Sequence, residues 1–376
     1  MKIIDDKNPV VIFVKKNYVM LIAFFAAIIT SIFVPIDAEY MSYYDLKTLS
    51  CLFCVLAVVC AYKNINFFYI LAKKVVYLFK NARMCILALV YITFIGSMLI
   101  ANDMALLTFL PLGYFVLNST KKEKYMAFTF IMQNIAANLG GMLTPFGNPQ
   151  NLYLYSKFAI PNLEFFEIMA PPFMLSIVLI TLCCIIFVKN EPLFLENDKV
   201  CLDKKKAVLY SLLFILAIAI VFRSIPYWVG LIIIPSVLLF ADRKSLKMVD
   251  YPLLLTFVFF FTFSGNMSRI PLVREFFSNL LSKSTLIFST LSCQFISNVP
   301  SAILLSQFTS NYKDLLVGVN IGGVGTLIAS LASLITFREY VKYNPEKSRY
   351  YIMQFSLYNF SFLGILLVFM LMLKAI

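Results

Sequence analysis

Residues Asn138 to Tyr155 read NLGGMLTPFGNPQNLYLY and set Gly140, Gly141, Pro145, Gly147 and Pro149 inside otherwise apolar sequence. No helix runs through such a stretch unbroken. Thr144-Pro145 and Asn148-Pro149 each lack a backbone donor and push the residue before proline out of the α region. The carbonyl and N–H groups so freed must face protein or a wet cavity if the segment lies in a bilayer. A second stretch, Asn320 to Leu334, reads NIGGVGTLIASLASL. It matches the first at Asn138/Asn320 of an Asn-x-Gly-Gly pair and at Thr144/Thr326, with Asn148 opposite Ser330 and Asn151 opposite Ser333. One broken helix in each half is the pattern of a secondary transporter.

Composition sets the surroundings. The 376 residues are 61% hydrophobic and 14% charged, with several apolar runs about as long as a bilayer is thick. This is an all-α polytopic membrane protein in expectation, and the lipid bilayer is its first partner. The net charge of +13 does not point to nucleic acid, because the basic residues fall between apolar runs, where a topology signal belongs. With no histidine there is no imidazole metal site and no histidine general base. Cys51-x-x-Cys54 and Cys183-Cys184 lie within apolar spans and read as small fillers. No catalytic residue and no cofactor is expected, apart from Na⁺ as a coupling ion.

Lys2, Lys7, Lys15 and Lys16 precede a first span, Asn17 to Ile36, read as a retained helix rather than a signal peptide. Leu46 to Tyr62 is the second span, and Asn64 to Arg83 reads as an interfacial amphipathic helix. Met84 to Ile100 and Met104 to Leu117 are separated only by Ala101-Asn102-Asp103. The return arm reaches about 21 Å, short of the roughly 30 Å hydrocarbon core, so 84–117 is expected to be a re-entrant hairpin with a buried polar tip. A pair of ordinary spans with a tight outer turn is the alternative. The broken helix then covers 125–157, and Phe165 to Val188 closes an N-terminal half of 1–190.

A hydrophilic connection, 191–206, joins it to a C-terminal half of 207–376 with the same order of parts. Spans are expected at Ala207 to Phe222, Tyr227 to Ala241 and Tyr251 to Ser264, then a second hairpin at 284–310 around Ser297-Asn298-Val299-Pro300. The second broken helix is placed at 313–337, and the last span at Tyr350 to Leu373. With the N-terminus cytoplasmic, most of the 32 Lys and Arg fall on the inner side. The chain crosses an odd number of times between the start of one unit and the next, so the two repeats are expected to be inverted. Both hairpin tips should then meet both breaks near the midplane.

The polar groups gathered there are Asn102, Asp103, Thr144, Gly147, Asn148, Gln150 and Asn151 with Ser297, Asn298, Thr326, Ser330 and Ser333. Only Asp103 is ionisable. Neutral amides and hydroxyls at half-helix N-termini can receive a small anion, while freed oxygens suit Na⁺ near Asn102, Asp103 and Asn148. An unpaired charge at membrane depth costs about 3 kcal/mol or more. Asp103 therefore needs a bound cation, a proton, or backbone donors at the tip, the last being a capping role only.

GGMLTPFGNPQN, GGVGTLIAS, the Asn-Asp tip and the Ser-Asn-Val-Pro tip resemble the ion transporter superfamily, which includes citrate-transporter-like permeases, sodium-coupled dicarboxylate and sulfate symporters and arsenite permeases. The resemblance runs from Leu46 onward. Dicarboxylate symporters carry Ser-Asn-Thr at both tips, where this chain has Ala101-Asn102-Asp103 and Ser297-Asn298-Val299. The Asn-Asp tip is more similar to the arsenite permease and sodium/proton antiporter branches. The resemblance implies an inner or plasma membrane permease for a small inorganic or organic anion, a homodimer, and elevator-type movement of the hairpins and broken helices against a scaffold. A cation/proton antiporter using Asp103 is the alternative within the same fold. The chain carries no nucleophile elbow and no Asp-rich box, which speaks against a membrane enzyme.

Overall fold

The computed structural model describes residues 13–14, 17–193 and 202–375. Lys2, Lys7, Lys15, Lys16 and Lys199, which carry part of the charge argument, lie outside them.

The described chain is helical, and five of its helices are long and apolar enough to cross a membrane. Helix α1 spans Tyr18–Phe33 and α2 spans Leu46–Asn64. Asp45 starts α2, its carboxylate accepting from the Thr48 N–H at 3.0 Å and the Thr48 hydroxyl at 2.6 Å. Helix α3, Phe67–Val76, is shorter than the interfacial helix expected over Asn64 to Arg83. Left-handed Asn66 (φ 51°) turns the chain before it, and Asn81 caps a new helix after it. Lys73 is buried rather than solvated, its ammonium 5.7 Å from the Phe115 ring.

Helices α4, Ala82–Ile100, and α5, Asn102–Ser119, form the first hairpin. At 18 residues the return arm is about 27 Å long, so length alone no longer separates a hairpin from two spans. Depth does. Arg83 Nε donates to Val188 O at 2.7 Å, Tyr91 OH pairs with Thr181 at 2.5 Å, and Phe94 lies 5.0 Å from the Phe173 ring. This antiparallel register against α8, Asn162–Phe187, leaves Ile100 about five residues, roughly 8 Å, short of the start of α8.

The broken helix is α6, Met126–Gly140, and α7, Pro149–Lys157, joined by a 3₁₀ turn and the two Thr-Pro and Asn-Pro corners. Gly140 allows α6 to lie against α4: a Cβ there would sit 2.2 Å from the Phe94 carbonyl oxygen.

The second half begins with α9, Lys204–Val221, α10, Tyr227–Ala241, and a short α11, Arg243–Lys247. Helix α12, Tyr251–Arg269, packs along α1, and α2 lies between α9 and α10. Amphipathic α13, Pro271–Lys283, leads to the second hairpin, α14, Thr285–Ile296, and α15, Asn298–Leu305. Its arms, about 18 and 12 Å long, are too short to cross. The second broken helix is α16, Tyr312–Ile321, and α17, Leu331–Tyr343, which runs past the expected end at residue 337. Helix α18, Ser348–Ala375, is the last span. Cys51, Cys54, Cys183 and Cys184 are free thiols, all but Cys183 fully buried.

Replacing Gly140 by Ala is expected to destabilise the protein by about 1–3 kcal/mol through overpacking against backbone that cannot yield. Gly364→Ala, where an added Cβ meets nothing within 4 Å, is the control. Unfolding midpoints in detergent compare them, and equal midpoints would contradict the packing described.

Candidate functional site

Each hairpin turns at one residue in a backbone region that is nearly reserved for glycine. Ala101 has φ 64°, ψ 151°, and Ser297 has φ 74°, ψ 160°. Such a conformation costs about 1–3 kcal/mol and persists only where surrounding contacts over-determine it. The same contacts occur twice. The Asn102 side-chain oxygen accepts from the Asp103 N–H at 2.9 Å, and that of Asn298 accepts from the Val299 N–H at 2.9 Å. Thr144 donates to the Met98 carbonyl at 2.7 Å, and Thr326 to the Gln294 carbonyl at 3.0 Å. Met98 and Gln294 each stand three residues before their tip, so each break is pinned to its own hairpin.

The second pin is the fuller one. Gln294 also accepts from the Thr326 N–H at 2.9 Å and donates to the Gly322 carbonyl at 2.8 Å. Gly325, at φ 139°, is required there, since a Cβ would lie 2.1 Å from Gln294 Oε1. The Asn298 N–H donates to the Ala329 carbonyl at 2.9 Å. In the first break Gly147 fits against the Gly141 carbonyl, 2.3 Å from where its Cβ would be. Its role is steric.

The halves meet through amides. Asn148 Nδ2 donates to Asn320 Oδ1 at 3.3 Å, and Asn320 Nδ2 donates to Asn151 Oδ1 at 2.6 Å. Asn151 Nδ2 in turn reaches the freed carbonyls of Gly141, Met142 and Thr144 at 3.1–3.3 Å. Asn102 Nδ2 donates to Asn138 Oδ1 at 3.3 Å. Gly323 leaves room for the other tip: the position of an added Cβ is 3.0 Å from Asn298 Nδ2 and 3.5 Å from Asn138 Oδ1. The two tips thus approach one another across Asn138.

The candidate residues separate into two groups. Thr144, Ser297, Thr326 and Ser330 spend their hydroxyls on backbone, Ser297 on the Ala329 carbonyl at 3.3 Å and Ser330 on the Ala332 N–H at 3.2 Å. They hold the site in shape. Asn148 Oδ1, Gln150 Oε1 and Asp103 Oδ1 are buried oxygens with no protein partner. Asp103 does not cap its hairpin; Asn102 does.

Asn138, Asn320 and Gln294 are site residues that the candidate set leaves out. The matched Asn-x-Gly-Gly pair carried a signal for the first two. Gln294 had none, because its counterpart Met98 offers only a carbonyl. Among the described residues no three His, Cys, Asp or Glu side chains gather as metal ligands.

A family model described as citrate transporter matches residues 7–312. An uncharacterized transporter of Methanocaldococcus jannaschii is 34% identical over 296 residues, covering 78% of this chain and 80% of the relative. The inner membrane protein YbiR of Escherichia coli is 29% identical over 282 residues, covering 73% of this chain and 74% of the relative.

Asn320→Leu leaves Asn148 and Asn151 without their shared partner. Each buried polar group so orphaned costs about 1–3 kcal/mol, and the unfolding midpoint should fall well below that of wild type. A midpoint equal to wild type would show that the amide bridge between the halves is not formed.

Proposed function

The chain belongs to the citrate transporter family, and from that premise we propose that it is a secondary active transporter that moves a small anion or oxyanion, driven by Na⁺ or H⁺. It is a membrane permease, not an enzyme. One observation carries the choice of an anion. Helices α5 and α15 begin at the hairpin tips, and α7 and α17 begin at the breaks pinned to those hairpins. Each N-terminus carries a partial positive charge of about half an elementary charge. No Lys or Arg is needed to receive the anion there. The family description names citrate, and the tip amides of Asn102 and Asn298 are suited to carboxylate or other oxyanion oxygens.

In this reading Asn148 and Asn151 hold substrate or coupling ion through side-chain oxygens, and Asn102, Asp103 and Asn148 border a Na⁺ position. The two halves lie inverted in the bilayer, so that one hairpin opens inward and the other outward. The hairpins and broken helices move as one body against α1, α2 and α9–α12, which pack on one another. The membrane is the inner or plasma membrane, with the N-terminus cytoplasmic; the printed name of the Escherichia coli relative supports that placement.

A second reading, a cation/proton antiporter of the same superfamily, is favoured by the unpartnered Asp103 Oδ1. One assay addresses both. Reconstituted protein should take up its anion saturably and only with an ion gradient, and Asn148→Ala or Asn151→Ala should abolish uptake while membrane expression is kept. Asp103→Asn should lose the dependence on Na⁺ or pH. Normal uptake in both Asn variants would return them to helix capping, and gradient-driven cation exchange with no anion flux would establish the antiporter.

Orientation is tested separately. With native cysteines removed, Lys121→Cys should label from the cytoplasm and Lys313→Cys from outside. Labelling of both from one side would sink the inverted arrangement.

A further inference from the structure

The corner between α9 and α10 carries an arginine where the backbone favours glycine. Past the end of α9, the Arg223 N–H donates to the Ile220 carbonyl at 3.0 Å and the Ser224 N–H to the Ala219 carbonyl at 2.9 Å. That pair of bonds is a Schellman stop, whose left-handed residue is usually glycine. Arg223 takes the position at φ 63°. A side chain kept there despite the strain calls for a compensating contact. The guanidinium lies 4.0 Å from the centre of the buried Tyr155 ring, and one of its terminal nitrogens donates to the Tyr155 carbonyl. Phe222, beside it, has its ring 5.9 Å from that of Phe146 inside the first break. One corner thus touches both the break and the far end of α7.

What Arg223 grips is itself a Schellman stop. At the end of α7, Ala159 has φ 47°, and its N–H donates to the Ser156 carbonyl while that of Ile160 donates to the Tyr155 carbonyl, both at 3.2 Å. The carbonyl that Arg223 reaches therefore already has a backbone donor. Release of Arg223 orphans nothing there, since Tyr155 keeps Ile160 at its carbonyl and Asn162 at its hydroxyl. The grip uses a carbonyl and a ring and no carboxylate, and Arg223 Nε is buried without an acceptor. Such a contact is of modest strength, and no countercharge is left behind when it opens. Arg269 shows the opposite design, held to the two Asp37 carboxylate oxygens at 3.0 and 2.6 Å. Arg269 joins parts of one body, whereas Arg223 joins α9–α10 to a broken helix.

We propose that Arg223 and Tyr155 form a latch between the α9–α10 corner and α7, closed in this structure and released when the hairpins and broken helices move. The inference rests on the moving-body reading above and adds to it the contact that sets the balance between its two states. Arg223 is a positioning residue. It acts on the site through α7, whose first residue follows Asn148.

Arg223→Gly separates the latch from folding, because it removes the side chain while supplying the residue that the left-handed position prefers. Its unfolding midpoint should stay at or above that of wild type. The states are read by pulsed electron-spin distance measurement in lipid nanodiscs, with native cysteines removed and labels at Lys157→Cys and Phe240→Cys, both exposed. Phe240 stands about 20 Å along α10 from its start at Tyr227, so displacement of α7 along that helix changes the distance. The protein with Arg223 should give two distances, and Arg223→Gly should lower the share of the one matching this structure, relative to the other, by about fivefold or more. Arg223→Asn, which also tolerates the left-handed region, is the second variant and should shift the proportion the same way. Two distances in unchanged proportion, with or without a lower midpoint, overturn the latch and leave the moving body standing. A single distance in all three proteins overturns both.

Discussion

Everything at the centre of this molecule depends on how a helix broken in apolar surroundings disposes of its freed backbone groups. Each break uses its threonine to grip a carbonyl three residues before the tip of its own hairpin, Thr144 on Met98 and Thr326 on Gln294. The grip compensates two otherwise costly features at once, a hairpin reversal through a strained Ala101 or Ser297 and an unwound segment with unpaired groups. Amides do the rest. Asn151 alone reaches three freed carbonyls while it accepts from Asn320 of the opposite half.

That arrangement yields a site of fixed dipoles rather than fixed charges. Four helices begin at the two tips and the two breaks, and the candidate side chains around those starts are neutral except Asp103. A centre of this kind can hold an anion strongly enough to select it and weakly enough to release it, because no full positive charge has to be desolvated or left behind. Orphaned oxygens on Asn148 and Gln150 and the carboxylate of Asp103 give the same region a complementary attraction for a cation. Helices α1, α2 and α9–α12 are joined by ordinary apolar packing.

Proline made the first break legible in the sequence and the matched Asn-x-Gly-Gly pair the second, and the matched threonines are the residues that turned out to bond equivalently. The limits of the hairpins were less so. Asn118 and Ser119 read as loop, yet α5 continues through them, which is why the return arm is longer than its apolar stretch. Asn81 starts a helix instead of continuing one, because its side chain caps the Arg83 N–H at 2.8 Å. Contacts between halves left no local trace. Asn320 sits far from Asn148 and Asn151 in the chain, so these partners emerge only from the packing.

A cryo-EM structure of the protein in lipid nanodiscs, saturated with its transported anion, tests the central claim most directly. The account predicts anion density between the two hairpin tips, within hydrogen-bond reach of Asn102 and Asn298 and facing the N-termini of α7 and α17. Density bound elsewhere, with the tips and breaks closed on one another and unchanged, would contradict it.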